Sequence, residues 1–240
     1  MNDDFFSFEP PAHWLIAGTT RSGKSFFAGY LAEKAISEEK ALLIFDPKNE
    51  NLNGLAELKD VYPFMILPES VKHIKEIETE ILRLLQMKKC VIVYPSKSLT
   101  GDHFKEYEER IMTYVFENLD KKFPVIVILD ECRRHLLHSN PTEIFMRLIT
   151  TGLGDNKSLI MVTQRTNQMH PDVLSECHKM SIFKLNRTLD IDYLGKESDA
   201  LQFGLEKLPT LPKYYHVYYD LNSDSVYVVA PAERQTTHRG

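Results

Sequence analysis

Short apolar runs alternate along the chain with segments of helical periodicity, and this alternation constrains the fold more than any other feature. The apolar runs are nearly continuous, as expected for strands buried on both faces of a parallel sheet. They span residues 13–18, 41–46, 90–95, 124–131, 158–164 and 180–185, and the helical segments span residues 23–36, 71–89, 104–119, 141–153 and 171–178. The alternation predicts an α/β fold with a mostly parallel central sheet and helices on both faces.

The last part of the chain predicts a C-terminal β-hairpin. The segments KYYHVYYDL (213–221) and SVYVVAP (225–231) flank the turn residues NSD. A length of 240 residues with 43% hydrophobic residues suits a single domain. We assign residues 1–232 to this domain and expect residues 233–240 to form a disordered tail.

The chain carries no signal for a membrane or for secretion. No apolar run approaches the ~18 residues of a membrane-spanning helix, and the acidic segment MNDDFFSFEPP lacks the features of a signal peptide. The three cysteines are scattered and predict no disulfide framework. We therefore expect a cytoplasmic protein without a transmembrane segment.

The segment GTTRSGKS (18–25) fills the P-loop pattern G-x-x-x-x-G-K-[ST] between a predicted strand and a predicted helix. Its glycines let the backbone wrap around phosphate, and its amides supply partial positive charge. Lys24 is expected to reach the β- and γ-phosphates, and Ser25 to coordinate Mg²⁺. The predicted nucleotide-binding residues are Gly18, Thr19, Thr20, Arg21, Ser22, Gly23, Lys24, Ser25 and Phe26. ATP and Mg²⁺ are the cofactors that this motif predicts.

The strand PVIVILDEC supplies the acidic half of the site. Asp130 matches the Walker B aspartate that holds Mg²⁺, and Glu131 follows at a position where a carboxylate can polarise the attacking water. The Asp-Glu pair favours hydrolysis over transfer of phosphate to a substrate. Two other P-loop classes are disfavoured, because Leu159 replaces the aspartate of the GTPase motif N-K-x-D and no LSGGQ signature is present.

The strand of residues 158–164 ends on a polar side chain, Gln164, followed by Arg165. In P-loop ATPases with a catalytic glutamate, a strand between the P-loop strand and the Walker B strand ends near the γ-phosphate. Gln164 is therefore predicted to sense that phosphate or to orient water. A glutamine that only caps a turn is the alternative.

Together these motifs resemble the HerA–FtsK superfamily of DNA-pumping ATPases over residues 12–190. The segments that carry the resemblance are IFDPKNE (44–50), ILDECRRHL, and SLIMVTQR followed by PDVLSECHKMSIFKL and Asp190. The resemblance implies a RecA-like fold, double-stranded DNA as a partner and a homo-oligomeric ring such as a hexamer. It also implies an arginine supplied in trans, for which Arg147 is the candidate and Lys157 the second choice. The segment TTGLGDNKS departs from the basic sequence that these families often carry there.

The size of the chain narrows the resemblance further, since there is no room for the additional domains of cellular HerA or FtsK. It is similar in size and architecture to the genome-packaging ATPases of icosahedral viruses with internal membranes. That implies packaging of viral DNA, a capsid or membrane vertex protein as partner, and a location in the host cytoplasm or the virion. A cellular HerA-like or conjugation ATPase, a nucleotide-dependent assembly protein that does not move DNA, and a small-molecule kinase remain alternatives.

The sequence gives weaker evidence for DNA-contacting basic residues and for a metal site than it does for the nucleotide site. The net charge of −5 argues against a protein that coats DNA over its whole surface, but permits a ring whose pore presents a few basic residues. Cys132, His135 and His138 have the spacing C-x-x-H-x-x-H, although helical geometry brings only the first two together. The candidates for DNA contact are Lys97, Arg133, Arg134 and Arg165.

Overall fold

The structure is a computed structural model that describes residues 6–49 and 53–237. In this part of the chain the strands form one nine-stranded sheet, in the order β3-β4-β2-β5-β6-β1-β7-β8-β9. The strands are β1 (Trp14–Ala17), β2 (Ala41–Phe45), β3 (Val61–Ile66), β4 (Cys90–Pro95), β5 (Val125–Leu129), β6 (Lys157–Thr163), β7 (Lys179–Ile182), β8 (His216–Asp220) and β9 (Ser225–Val229). The helices are α1 (Lys24–Ser37), α2 (Ile74–Gln86), α3 (Gly101–Asn118), α4 (Glu143–Thr151), α5 (Pro171–Ser175), α6 (Thr188–Gly195) and α7 (Asp199–Leu205).

The sheet is parallel from β3 to β7, and the C-terminal hairpin of β8 and β9 continues it in antiparallel pairing. The predicted α/β architecture is therefore confirmed, including the hairpin. β6 lies between β1 and β5, which is the strand order that the interpretation of Gln164 requires.

Two apolar layers pack against the sheet, because side chains of a strand alternate between its faces. On β1, Leu15 and Ala17 belong to one core cluster, and Trp14 and Ile16 belong to the other. The Leu15 cluster includes residues of α2 to α7. The Trp14 cluster includes residues of α1 and an aromatic group formed by Phe6, Phe27 and Tyr218. Helices thus cover both faces.

Three elements were not predicted from the sequence. β3 carries Pro63 and exposes Tyr62 and Met65, so its sequence suggests a loop. In the structure it is an edge strand, where the missing N–H of a proline is tolerated. α6 and α7 are short and give weak periodicity.

The predicted helix of residues 71–89 starts later, at Ile74, because Pro68 opens a 3-10 turn that runs to His73. No helix in the described residues is long and apolar enough to cross a membrane.

The predicted disordered tail begins at Glu233, but the structure packs its first residues against α1. Glu33 of α1 receives hydrogen bonds from the backbone N–H of Gln235 at 2.7 Å and of Thr236 at 3.0 Å. The Arg234 guanidinium lies 3.1 Å from the same carboxylate, and both side chains are buried. Burial would raise the pKa of Glu33, but the hydrogen bonds from Thr236, Gln235 and Arg234 lower it instead. Residues 238–240 lie outside the described residues.

This packing predicts a large loss of stability in the Arg234→Ala variant. Removing the guanidinium leaves the Glu33 carboxylate buried without its charge partner, which costs about 3 kcal/mol in the free energy of unfolding. The matched control is Arg83→Ala, which breaks the exposed Arg83–Glu80 pair of α2 and should cost under about 1 kcal/mol. Urea unfolding measures both, and equal losses would contradict the buried pairing.

Candidate nucleotide hydrolysis site

Polar residues from widely separated segments meet at the carboxyl edge of the parallel strands. Gly18 follows β1, Asp46 follows β2, Asp130 follows β5 and Gln164 follows β6. The parallel pairing of β2, β5, β6 and β1 puts these positions side by side. Ligands of open α/β sheets bind at this edge, so the structure collects the predicted catalytic and phosphate-binding residues, apart from Arg147, in one place.

The P-loop has the backbone shape that close approach to phosphate requires. Gly23 has φ of 109°, a conformation that favours glycine. A Cβ at Gly18 would lie 2.6 Å from Ser22 Oγ and 2.7 Å from Phe183 Cβ, so only glycine fits there. The loop is held from the neighbouring strand ends, because Gly18 N–H donates to Thr163 at 3.2 Å and Thr19 N–H donates to Lys184 at 2.9 Å.

The residues of this loop fit a bound phosphate chain. α1 begins at Lys24, so its first amides face the loop. The hydroxyl of Ser22 is buried without a hydrogen-bond partner among the described residues, as expected of a donor that a phosphate oxygen would satisfy. Lys24 is also buried, and its Nζ donates to the carbonyl of Thr19 at 3.4 Å. Burial lowers the pKa of Lys24, while the charges of Glu131 and Asp130 oppose that shift.

Ser25 and Asp130 are the residues that would hold Mg²⁺. Asp130 is buried, and its Oδ1 accepts the N–H of Glu131 at 3.0 Å. In residues 6–49 and 53–237 no group of three or more His, Cys, Asp or Glu side chains is placed to bind a metal. Ser25 and Asp130 supply one hydroxyl and one carboxylate, and a nucleotide-bound Mg²⁺ would take its other ligands from oxygens of phosphate and water.

Glu131 is the centre of a hydrogen-bonded chain that starts in the P-loop. Thr20 Oγ1 donates to Gln164 Oε1 at 2.8 Å, and Gln164 Nε2 donates to Glu131 Oε1 at 2.8 Å. Glu131, the second residue after β5, has φ of 49°, in the left-handed region. A strained backbone at such a position is typical of functional sites. Gln164 thus joins the phosphate-binding loop to the candidate base through two hydrogen bonds.

Lys48, which is not among the residues predicted from the sequence, completes the cluster. Its Nζ forms an ion pair with Glu131 Oε1, and its N–H donates to Asp46 Oδ1 at 3.3 Å. Burial would raise the pKa of the Glu131 carboxyl, but Lys48, Gln164 and Lys24 lower it. Glu131 is thus held ionised. The segment IFDPKNE contained the signal, a lysine just beyond a strand end, although Glu50 of that segment lies outside the described residues.

The candidates for a trans-acting cation lie elsewhere. Arg147 is exposed on α4, and its guanidinium stands over the Phe116 ring at 4.8 Å. Phe116 is in the last turn of α3, where Lys157 at the start of β6 also contacts the ring. Arg147 therefore lies at the amino edge of the sheet, opposite to its own P-loop. Lys157, the second choice, is 1% exposed, and its Nζ donates to three backbone carbonyls. That leaves Lys157 no freedom to contact a neighbour.

The other weak candidates have structural partners. Cys132 is buried in the core, His135 bonds Glu108 at 2.9 Å, and His138 stacks on His170, so the C-x-x-H-x-x-H spacing builds no metal site in the described residues.

Some of the basic side chains proposed for DNA contact have partners within the protein, and others are accessible. Arg134 pairs with the buried Glu108 at 3.1 Å and is not available for DNA. Arg133 is exposed but donates to Gln168 at 2.5 Å. Arg165 lies 3.9 Å from Asp190, and Lys97 is exposed in the loop after β4.

The fold and the site together define a P-loop ATPase. The family model described as "Helicase HerA, central domain" matches residues 11–188. The chain therefore belongs to the HerA central-domain family. A comparison with curated proteins gave no match.

Solved structures share the fold. The chain is similar to the genome packaging NTPase B204 of Sulfolobus turreted icosahedral virus 2 in complex with AMPPCP, with 18% identity and a TM-score of 0.67 over 93% of this chain and 100% of that one. It is also similar to VirB4 of Thermoanaerobacter pseudethanolicus, with 11% identity and a TM-score of 0.64 over 93% of this chain and 90% of that one. The chain is similar to the bacterial conjugative coupling protein TrwBΔN70 as well, with 11% identity and a TM-score of 0.66 over 95% of this chain and 86% of that one.

The ion pair of Lys48 predicts a change in the pH dependence of ATP hydrolysis. A carboxylate can accept a proton from water only when it is ionised, so hydrolysis that depends on Glu131 is expected to fall as the pH drops through the pKa of Glu131. Lys48 lowers that pKa. Lys48→Met keeps the length of the side chain but removes the charge, so the pKa of Glu131 rises and the acidic limb of the profile moves to higher pH.

The measurement is kcat against pH for the parent, for Lys48→Met and for Lys89→Met. Lys89 pairs with Asp60 away from the site, so this control should keep the parent profile. A variant that loses activity equally at every pH would show that Lys48 only supports the local structure.

Proposed function

We propose that this protein hydrolyses ATP with Mg²⁺ and uses the energy to move double-stranded DNA. The observation that supports hydrolysis best is the hydrogen-bonded chain from Thr20 through Gln164 to Glu131. It couples the loop that would hold the phosphates to the carboxylate that would activate water. A protein that only bound nucleotide would not need that link.

Each residue of the site has a separate role in the proposed reaction. The P-loop amides and Lys24 bind the phosphate chain, and Ser25 and Asp130 hold the metal. Mg²⁺, when bound, would offset the negative charge that develops on the phosphates. Glu131 accepts the proton of the attacking water, and Gln164 orients that water between the P-loop and Glu131.

Coupling to DNA is supported by family membership and by the kind of proteins that share the fold. One of them is a genome packaging NTPase and another is a conjugative coupling protein. We favour viral genome packaging, because B204 is matched over its full length by 93% of this chain. The protein would then work in the host cytoplasm or the virion and dock on a capsid or membrane vertex protein.

A second candidate function follows from the same similarity. VirB4 and TrwBΔN70 have TM-scores close to that of B204, so a conjugative or cellular HerA-like ATPase has nearly equal structural support. An assembly protein that binds nucleotide without moving DNA is the remaining alternative. DNA-stimulated turnover separates this last alternative from both motors.

A ring of subunits, such as a hexamer, would complete each active site. Arg147 lies at the sheet edge opposite to its own P-loop, so it can serve only a neighbouring subunit. An arginine supplied in trans is worth about 10³–10⁵ in rate in other P-loop enzymes. The ring and the role of Arg147 are parts of the same proposal.

The first prediction of this proposal concerns DNA and Glu131. Double-stranded DNA should raise the rate of ATP hydrolysis by the purified protein. Glu131→Gln should still bind ATP but lose about 10²–10⁴ in rate, as expected for a lost general base.

Lys24→Ala should lose nucleotide affinity or turnover with its fold intact. Phosphate release with and without DNA is the measurement, and a rate that DNA leaves unchanged argues for the assembly protein.

The second prediction concerns mixed rings. Turnover per subunit should rise with protein concentration, because assembly completes each site. Arg147→Ala subunits, titrated into parent protein, should reduce activity more steeply than in proportion to their fraction, because each removes its neighbour's arginine. Arg83→Ala serves as the control, since it removes another exposed arginine. A linear fall would refute the role of Arg147, and activity independent of concentration would refute the ring.

A further inference from the structure

The order of the strands sets the direction in which a nucleotide would lie on the P-loop. β6 and β5, which end in Gln164 and the Asp130-Glu131 pair, lie on one side of β1. The γ-phosphate must face these residues if they act on it. β7 and β8 lie on the other side of β1. The nucleoside end therefore extends from the P-loop toward β7 and β8.

A cavity of about 390 Å³ lies on that side. Its walls are P-loop residues 19–22, Lys184 and Asn186 after β7, and residues 208 and 211–215 before β8. The volume is within the range of small-molecule sites. The cavity is continuous with the phosphate-binding loop, because residues 19–22 belong to both.

Tyr214 is the aromatic side chain of this wall with the most unusual placement. Its φ is 71°, in the left-handed region that a tyrosine rarely adopts. Its side chain is 45% exposed, so the core does not hold it. Its Cδ1 lies 3.2 Å from the position that a Cβ would take at Gly23, which places the ring against the P-loop. Lys213 Nζ lies over the ring at 4.6 Å from its centre.

We propose that this cavity binds the nucleoside and that the base stacks on the ring of Tyr214. The proposal rests on the proposed nucleotide-binding function. It gives a role to a tyrosine that is partly exposed and backbone-strained beside the P-loop, since an exposed aromatic ring can stack on a base. The basic residues Arg21, Lys184 and Lys213 line the cavity, and among the residues that the structure describes no Asp or Glu lines it.

The absence of an acidic side chain from this wall bears on which base is accepted. The guanine edge presents N–H donors, which a carboxylate recognises in sites that select guanine. Stacking does not discriminate between purines, since each has a π-face. The cavity is therefore expected to bind adenine and guanine nucleotides with affinities within about a hundredfold of each other.

The experiment is calorimetric titration of ADP, GDP and pyrophosphate into the purified protein with Mg²⁺. Tyr214→Ala should weaken ADP and GDP by about 5- to 100-fold, the effect of losing one base–aromatic stack, and leave pyrophosphate unchanged. Tyr214→Phe should bind like the parent, because the ring is kept. Tyr62→Ala, which removes an exposed tyrosine of β3, is the matched control.

The outcomes separate this inference from the proposed function. If the parent binds neither ADP nor pyrophosphate, the proposed function fails. If the parent binds ADP but Tyr214→Ala binds it equally well, the nucleoside site at Tyr214 is refuted and the P-loop assignment stands. Equal loss of ADP and pyrophosphate in Tyr214→Ala would also refute stacking, because the damage would then lie in the P-loop. GDP binding more than a hundredfold weaker than ADP would overturn recognition by stacking.

Discussion

The parallel pairing of β1 with β6, and of β6 with β5, brings the candidate catalytic residues together. Thr20 and Gln164 are 144 positions apart in the chain, and Gln164 and Glu131 are 33 apart, yet their side chains are in hydrogen-bond contact. Parallel strands end at the same edge, so one register fixes all three positions. A slip of β6 by one residue would turn Gln164 to the other face of the sheet and break the chain of hydrogen bonds.

The charges at that edge lie close together, with two cations among three anions. The cations are Lys24 and Lys48, and the anions are Asp46, Asp130 and Glu131. The ammonium group of Lys48 forms an ion pair with Glu131. A carboxylate so paired stays ionised at neutral pH but is a weaker base. Any movement that draws Lys48 away would raise the basicity of Glu131. Such a movement would have to occur in the loop after β2, which carries Lys48 but none of the phosphate-binding residues.

The sequence predicted the features that local patterns encode. The P-loop, the Asp130-Glu131 pair and the polar end of β6 are each written in a few consecutive residues, and the buried strands appear as apolar runs. Lys48 was missed because its contact with Glu131 spans 83 positions, so a lysine just beyond a strand end did not by itself indicate its partner. β3 was not predicted because Pro63 and exposed apolar residues are compatible with an edge strand and with a loop. Arg134 was a candidate for DNA contact, but it pairs with Glu108, which is buried on a distant helix.

The contact between Glu33 and residues 234–236 has a consequence for the timing of folding. The two partners are about 200 positions apart, so during synthesis α1 emerges long before the segment that neutralises its buried acid. Chains fold from the N-terminus as they are made, and contacts between such distant residues carry a large loop-closure cost. The helix that begins at Lys24 thus receives its last partner only when residue 236 has left the ribosome. A nascent chain would complete the packing of its phosphate-binding helix only after about 200 further residues had been made.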